Sequence, residues 1–83
     1  MQVSIVSRTS SLFEGTAKSV VIPSVMGQIG ILEGHEPILG VLDEGYVQIK
    51  DAAGKVTKVG VSRGIYSVDN DKVTIACQSE LKD

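Results

Sequence analysis

The sequence has no tryptophan, one cysteine, one histidine and two prolines, and its aromatic residues amount to Phe13, Tyr46 and Tyr66. Each scarcity excludes a class of function. A single cysteine, Cys77, cannot close an internal disulfide, which fits a reducing compartment. One histidine and one cysteine cannot assemble a zinc constellation of the usual ligand types. An aromatic fraction of 4% is too sparse for base-stacking platforms. Eight basic and ten acidic residues are scattered singly, for a net charge of −2. No basic stripe offers a footprint for nucleic acid, and no polybasic run would draw the chain to anionic lipid. No apolar run approaches the ~20 residues of a membrane-spanning helix. The opening MQVSIVSRTSS lacks the basic-then-apolar order of a secretory signal, and its lone Arg8 makes it a poor organelle-targeting peptide. Membrane association is expected only through a partner.

What remains is a small chain rich in β-branched residues. Its 83 residues make one domain, 1–83, and 42% of them are hydrophobic, too many for disorder. A domain of this size buries only about 60–65% of the surface its unfolded chain exposes, so the core is thin. Period-two alternation dominates. Val3, Ile5 and Ser7 share a face, as do Val20 and Ile22, with Pro23 expected to end that strand. The same pattern recurs at Val47/Ile49, at Thr57/Val59/Val61 and at Val73/Ile75/Cys77. Asp51–Ala52–Ala53–Gly54 and Asp69–Asn70–Asp71 read as hairpin turns, because Asn, Asp and Gly tolerate positive φ and bond their own backbone. No segment carries a 3.6-residue apolar period. The expected fold is all-β, a flattened sandwich or barrel of about ten short, mostly antiparallel strands, with no helix longer than one turn before Glu80.

The stretch from Met26 to Gly45, MGQIGILEGHEPILGVLDEG, holds five of the nine glycines, one of the prolines and the histidine. It is too interrupted for a helix, where an interior Gly costs ~1 kcal/mol and Pro ~3 kcal/mol relative to Ala. It is too apolar for a solvated loop, and so reads as short strands joined by shaped turns. Its glycines match neither G-x-G-x-x-G nor G-x-x-x-x-G-K-[ST], and no basic residue follows to meet a phosphate. His35 is flanked by Glu33 and Glu36, but sequence neighbours in a turn do not make a catalytic triad. Asp43/Glu44 and Asp69/Asp71 read as solvated turns, since no D-x-D-x-D-G calcium loop is present. Cys77 lies on an alternating apolar face and reads as a small buried hydrophobe. No catalytic residue, metal ligand or cofactor site is expected. Val25, Met26 and Ile29 surround a glycine at what reads as a loop tip, either tucked into the core or exposed for docking.

The order G-x-x-G-I-L-x-G-H-x-P-I-L, closed by D-E-G, resembles the N-terminal β-sandwich domain of the epsilon subunit of F-type ATP synthases, where the stretch typically runs like GELGILPGHAPLLTALKPG. The opening VSIVSRTSSLFEGTAKSVVIPS and the closing VSRGIYSVDNDKVTIACQSE resemble the family's flanking blocks in the same order. The resemblance implies a non-catalytic rotor subunit in the central stalk, linking the gamma subunit to the membrane c-ring and coupling ion flow to ATP synthesis. It implies a gamma contact at Ser7, His35, Pro37, Ile38, Leu39 and Gly40, and a c-ring contact at Met26, Gly27, Gln28 and Ile29. It further implies a peripheral position on the cytoplasmic face of a bacterial inner membrane, with no homo-oligomer required. Most members carry a C-terminal helical hairpin, whose inhibitory arm and ATP site are not expected within these residues. This chain departs from the family pattern at Gln28, usually Glu; at Glu33, commonly Pro; at Glu36, commonly Ala; and at Arg63, commonly Gly. The alternative reading is a small sandwich that binds a peptide or carbohydrate, for which only the three aromatics are available.

Overall fold

The computed structural model describes residues 1–81 and contains nine strands among them: β1 (Gln2–Val6), β2 (Ser11–Thr16), β3 (Ser19–Ser24), β4 (Gly27–Leu32), β5 (Ile38–Leu42), β6 (Gly45–Lys50), β7 (Val56–Val61), β8 (Gly64–Asp69) and β9 (Lys72–Cys77). No helix occurs among the described residues. The strands follow the alternation of the sequence, and the family of branched aliphatic side chains that alternation places on one face forms a single core. Val3, Ile5, Val20, Ile22, Val47, Ile49, Val59, Val61, Val73, Ile75 and Cys77 are all buried, joined by Ile31, Leu42, Tyr66 and Val68.

The strands hydrogen-bond in the order β2-β1-β9-β8-β5-β3-β6-β7, with β4 on the other side of β3. Every pairing is antiparallel except β1 with β9, which run parallel from Gln2↔Lys72 to Val6↔Ala76. Two layers result, β2-β1-β9-β8-β5 and β4-β3-β6-β7, closed over the shared core. β3 is the seam between them. Its first half pairs with β6 over Ser19–Val21, and its end pairs with β5 at Ser24↔Leu42.

Pro23 does not end β3, contrary to the sequence expectation; the strand runs on through Ser24. The reason lies in the change of partner. The Pro23 carbonyl accepts from the Asp43 N–H at 2.8 Å, so the missing N–H of the proline would point to the same side. That side is the gap where β6 has left β3 and β5 has just joined it, so no ladder bond is lost. Proline is confined within sheets to such positions.

The turns form where composition places them. Asn70 and Asp71 both take positive φ, 51° and 57°, between β8 and β9. Asp51 Oδ1 accepts from the N–H groups of Ala53 and Lys55 at 3.0 and 2.9 Å. A tenth strand is absent among the described residues; the chain instead makes a single bridge between Val61 and Glu80, and the Leu81 N–H donates to the Gly60 carbonyl at 3.0 Å. This short segment covers the outer edge of β7, which limits stray pairing there.

Face assignment is directly testable at neighbouring residues of β9. Ile75 is fully buried and Thr74 points outward. Ile75→Ala is expected to cost about 2–5 kcal/mol of unfolding free energy, while Thr74→Ala stays within about 0.5 kcal/mol. Urea titration of the two variants measures the contrast.

Candidate functional site

The outward face of β5, β8, β9 and β1 is built by the residues that alternate with the core. Cross-strand register aligns them in two rows, Leu39–Ser67–Thr74–Ser4 and Val41–Ile65–Ala76–Val6. Neither row contains a charge. Leu39, Val41 and Ile65 are 75%, 52% and 56% exposed, and Val41 sits directly opposite Ile65. Charges border it at the rim: Asp69 pairs with Lys72 across the β8–β9 turn, Glu14 of β2 sits opposite Ser4, and Arg63 and Asp43 lie at the far end. The outward face of the other layer is mixed: Lys50, Lys58, Gln28 and Gln48 are interspersed with the exposed Leu32, Tyr46 and Val56. Apolar side chains gathered on one face, unlike singly scattered ones, mark an interaction surface.

Two loops bound this face at opposite ends. At one end lies the segment between β4 and β5. The Gly34 N–H donates to Asp71 Oδ1 at 2.6 Å, tying the segment to the β8–β9 turn. The His35 N–H donates to the Leu32 carbonyl at 3.1 Å, and His35 Nδ1 lies 2.7 Å from the Glu36 carbonyl oxygen. Pro37, Ile38 and Leu39 then line an open groove with Ser67, Val68 and Asp69. At the other end lies the turn after β1. The Ser7 N–H donates to the Ser10 carbonyl at 2.8 Å, and the Ser10 N–H donates back to Ser7 Oγ at 3.1 Å. Ser7 and His35 therefore do not meet; they flank the same apolar face, a strand length apart.

The six residues expected at one interface divide by orientation. Leu39 points outward. Ile38 is opposite Val68 on the inward side and packs against the core. Gly40 also faces inward, opposite Tyr66, and a β-carbon built on it would collide with the Tyr66 hydroxyl, Cζ and Cε1. Its lack of a side chain makes room for the tyrosine ring. Sequence reasoning missed Val41 and Ile65; the alternation within L-G-V-L and G-I-Y-S-V was the available signal.

The four residues expected at a second interface do not form one loop. Only Val25 and Met26 make the turn; Gly27 opens β4, and Gln28 and Ile29 lie within it, paired to Pro23 and Ile22. The glycines of this stretch do not prevent pairing, because β3 supplies a partner for each residue. Ile29 is half-buried against the core, and Gln28 points outward. Met26 is 87% exposed and Val25 is 53% exposed. Gly27 takes φ +107°, a conformation L side chains rarely adopt, which permits the tight reversal.

The remaining polar groups do not converge. Among the described residues no three of His, Cys, Asp and Glu gather in a group that could hold a metal ion. Arg63 Nε lies 3.7 Å from Asp43 Oδ1, an exposed pair of little energetic weight. Phe13 and Tyr66 face inward and Tyr46 faces outward on another strand, so the three aromatics form no common platform.

This arrangement has close counterparts. Residues 1–82 match the family model described as the ATP synthase delta/epsilon chain, β-sandwich domain. The chain belongs to that family. It is 40% identical over 79 residues to an ATP synthase epsilon chain of Micrococcus luteus, covering 95% of this chain and 87% of that one. It is 42% identical over 76 residues to an epsilon chain of Corynebacterium jeikeium, covering 90% of this chain and 62% of that one. It is 38% identical over 76 residues to that of Neisseria meningitidis, covering 90% and 54%. The chain thus spans most of the first relative and little more than half of the other two. The same fold occurs in a chain of the Euglena gracilis mitochondrial ATP synthase, with a TM-score of 0.86 at 20% identity, covering 95% of this chain and 51% of that one. It occurs again in the Tetrahymena thermophila mitochondrial ATP synthase central stalk and c-ring, with a TM-score of 0.76 at 15% identity, covering 99% and 66%.

The close approach of β5 to Tyr66 yields a test of packing at the site. Gly40→Ala is expected to destabilise the domain by about 1–3 kcal/mol through overpacking. Replacing the ring in the same chain, Gly40→Ala with Tyr66→Leu, should recover part of that loss. Chemical denaturation of the two single variants and the double variant measures the coupling.

Proposed function

We propose that this chain is a non-catalytic rotor subunit in the central stalk of a rotary F-type ATP synthase. One partner is the gamma subunit, seated along the uncharged face of β5, β8, β9 and β1. The other is the membrane c-ring, met by the exposed Val25–Met26 turn with Gly27 and Gln28. The subunit transmits ring rotation, driven by ion flow, toward the catalytic head and performs no chemistry of its own. Its place is peripheral, on the cytoplasmic face of a bacterial inner membrane, held there by the complex.

The observation that carries this reading is the position of the apolar face between the two flanking loops. A partner lying along Leu39, Val41 and Ile65 reaches Ser7 at one end and His35 and Pro37 at the other. Residues far apart in the sequence become the two ends of one contact. Ile38 and Gly40 serve it from within, by fixing where Leu39 stands. Membership of the epsilon family supplies the identity of the partners, and the separation of face and turn allows both to be engaged at once.

Substitutions on the two sides of β5 test the assignment. Leu39→Asp should fold with a stability within about 0.5 kcal/mol of the parent. It should weaken gamma binding by roughly a hundred-fold, because a carboxylate removed from water without a partner is costly. Ile38→Asp should instead lower the melting temperature sharply, since its side chain faces the core. Co-purification with gamma, measured beside thermal melting, separates the two; a folded Leu39→Asp variant with undiminished gamma binding would refute the face.

The turn has its own readout. Met26→Asp should keep gamma binding and leave ATP hydrolysis by reconstituted membranes intact, while ion pumping falls. Normal pumping in this variant would remove the turn from the ring contact.

A further inference from the structure

Besides Tyr66, Ser24 is the only buried polar residue among the described residues. Its hydroxyl is used twice. Ser24 Oγ accepts from the Tyr66 hydroxyl at 3.3 Å and from the Met26 N–H at 3.2 Å. The two donors come from different parts of the molecule. Tyr66 lies on β8, next to Ile65 of the apolar face. Met26 is the exposed residue of the turn after β3. Ser24 lies between them at the seam, where β3 pairs with both Gly27 of β4 and Leu42 of β5. The ring reaches Ser24 only because Gly40 has no β-carbon to block it.

A buried hydroxyl pair contributes little net stability compared with well-fitting apolar groups of the same shape. What it supplies is direction. Serine commonly bonds the N–H two residues ahead in a turn, and does so weakly because its χ1 is free. Here the tyrosine hydroxyl gives the serine oxygen a second partner. We propose that Tyr66 is a positioning residue for the Val25–Gly27 turn, acting through Ser24 Oγ, so that the turn presenting Met26 is set by the sheet that carries the apolar face. The consequence for the ring contact rests on the function proposed above; the positioning itself does not.

The test begins with Tyr66→Phe, which keeps the ring over Gly40 and removes only the hydroxyl. In the isolated 83-residue chain, followed by amide hydrogen exchange and NMR, the Met26 amide should exchange about five-fold faster, the factor that one ordinary hydrogen bond represents. The ladder amides of β6 and β9 should keep their rates, which a general loss of stability would not allow. Ser24→Ala removes the shared acceptor and should accelerate Met26 exchange at least as much. Ser24→Thr keeps the hydroxyl and should restore most of the protection. Should Tyr66→Phe fail to fold, Tyr66→Leu in the Gly40→Ala chain, compared with Gly40→Ala alone, removes the same hydroxyl and carries the comparison. An unchanged Met26 exchange rate in a folded Tyr66→Phe or Ser24→Ala chain overturns the proposal. In the assembled motor, Tyr66→Phe should retain gamma and lower ion pumping per ATP hydrolysed. A variant with a loosened Met26 amide and normal pumping upholds the positioning and counts against the ring contact alone.

Discussion

The structure depends on β3 pairing with two different partners along one edge. Val20 and Val21 belong to the β6 ladder, whereas Ser24 belongs to β5, and the change occurs within three residues. Without it the two layers would be separate sheets, each with a bare apolar side. With it, the inward faces of nine strands close over one cluster of branched aliphatic side chains. Alternation must keep its phase through that junction, because a slip of one residue would turn Val20 and Ile22 to solvent. The residues at the junction answer this demand. Pro23 has no N–H to leave unpaired, Ser24 satisfies groups from both layers, and Asp43 returns a bond to the Pro23 carbonyl.

The strands and their buried faces were legible from the sequence because period two is a local property. Val47/Ile49, Val59/Val61 and Val73/Ile75/Cys77 announce their orientation without reference to the rest of the chain. The Asn70 and Asp71 turn was legible for the same reason. The glycine-rich stretch was legible in kind, since it does form strands and turns, but not in detail. Gln28 and Ile29 read as loop because glycines usually weaken a strand, yet β3 pairs with every residue of β4. Pro23 read as a terminator because its tolerance depends on which neighbour is missing on one side, a tertiary fact.

The candidate site was legible through the resemblance far more than through pattern. Ser7 lies a strand length from His35 and Pro37 and has no sequence relation that would join it to them. Only the parallel pairing of β1 with β9, between the first and last strands, places Ser7 at the end of the face that His35 bounds at the other. The inward turn of Ile38 and Gly40 follows from alternation once Leu39 is known to face out, but three consecutive apolar-or-small residues hide the phase. Gly40 is explained by Tyr66, twenty-six residues later, and no local reading pairs them.

The two proposed contact regions differ in how each is bonded. Ile65 stands on β8, which is laddered to β5 on one side and β9 on the other, while β5, carrying Leu39 and Val41, is laddered to β8 and joined to β3 at Ser24↔Leu42. Bending this face at β8 breaks ladder bonds on both sides of that strand, which places its centre toward the stable end of the molecule's local free energies. The Val25–Met26 turn has the Val25 N–H bonded to the Val41 carbonyl at 3.2 Å and the Met26 N–H bonded to one side-chain hydroxyl. It is therefore the more compliant of the two, although it hangs from the same seam. On the function proposed above, the laddered face would hold the long partner while the turn would yield against the ring. In this fold the asymmetry comes from one strand that ends as a ladder on one side and as a turn beyond it.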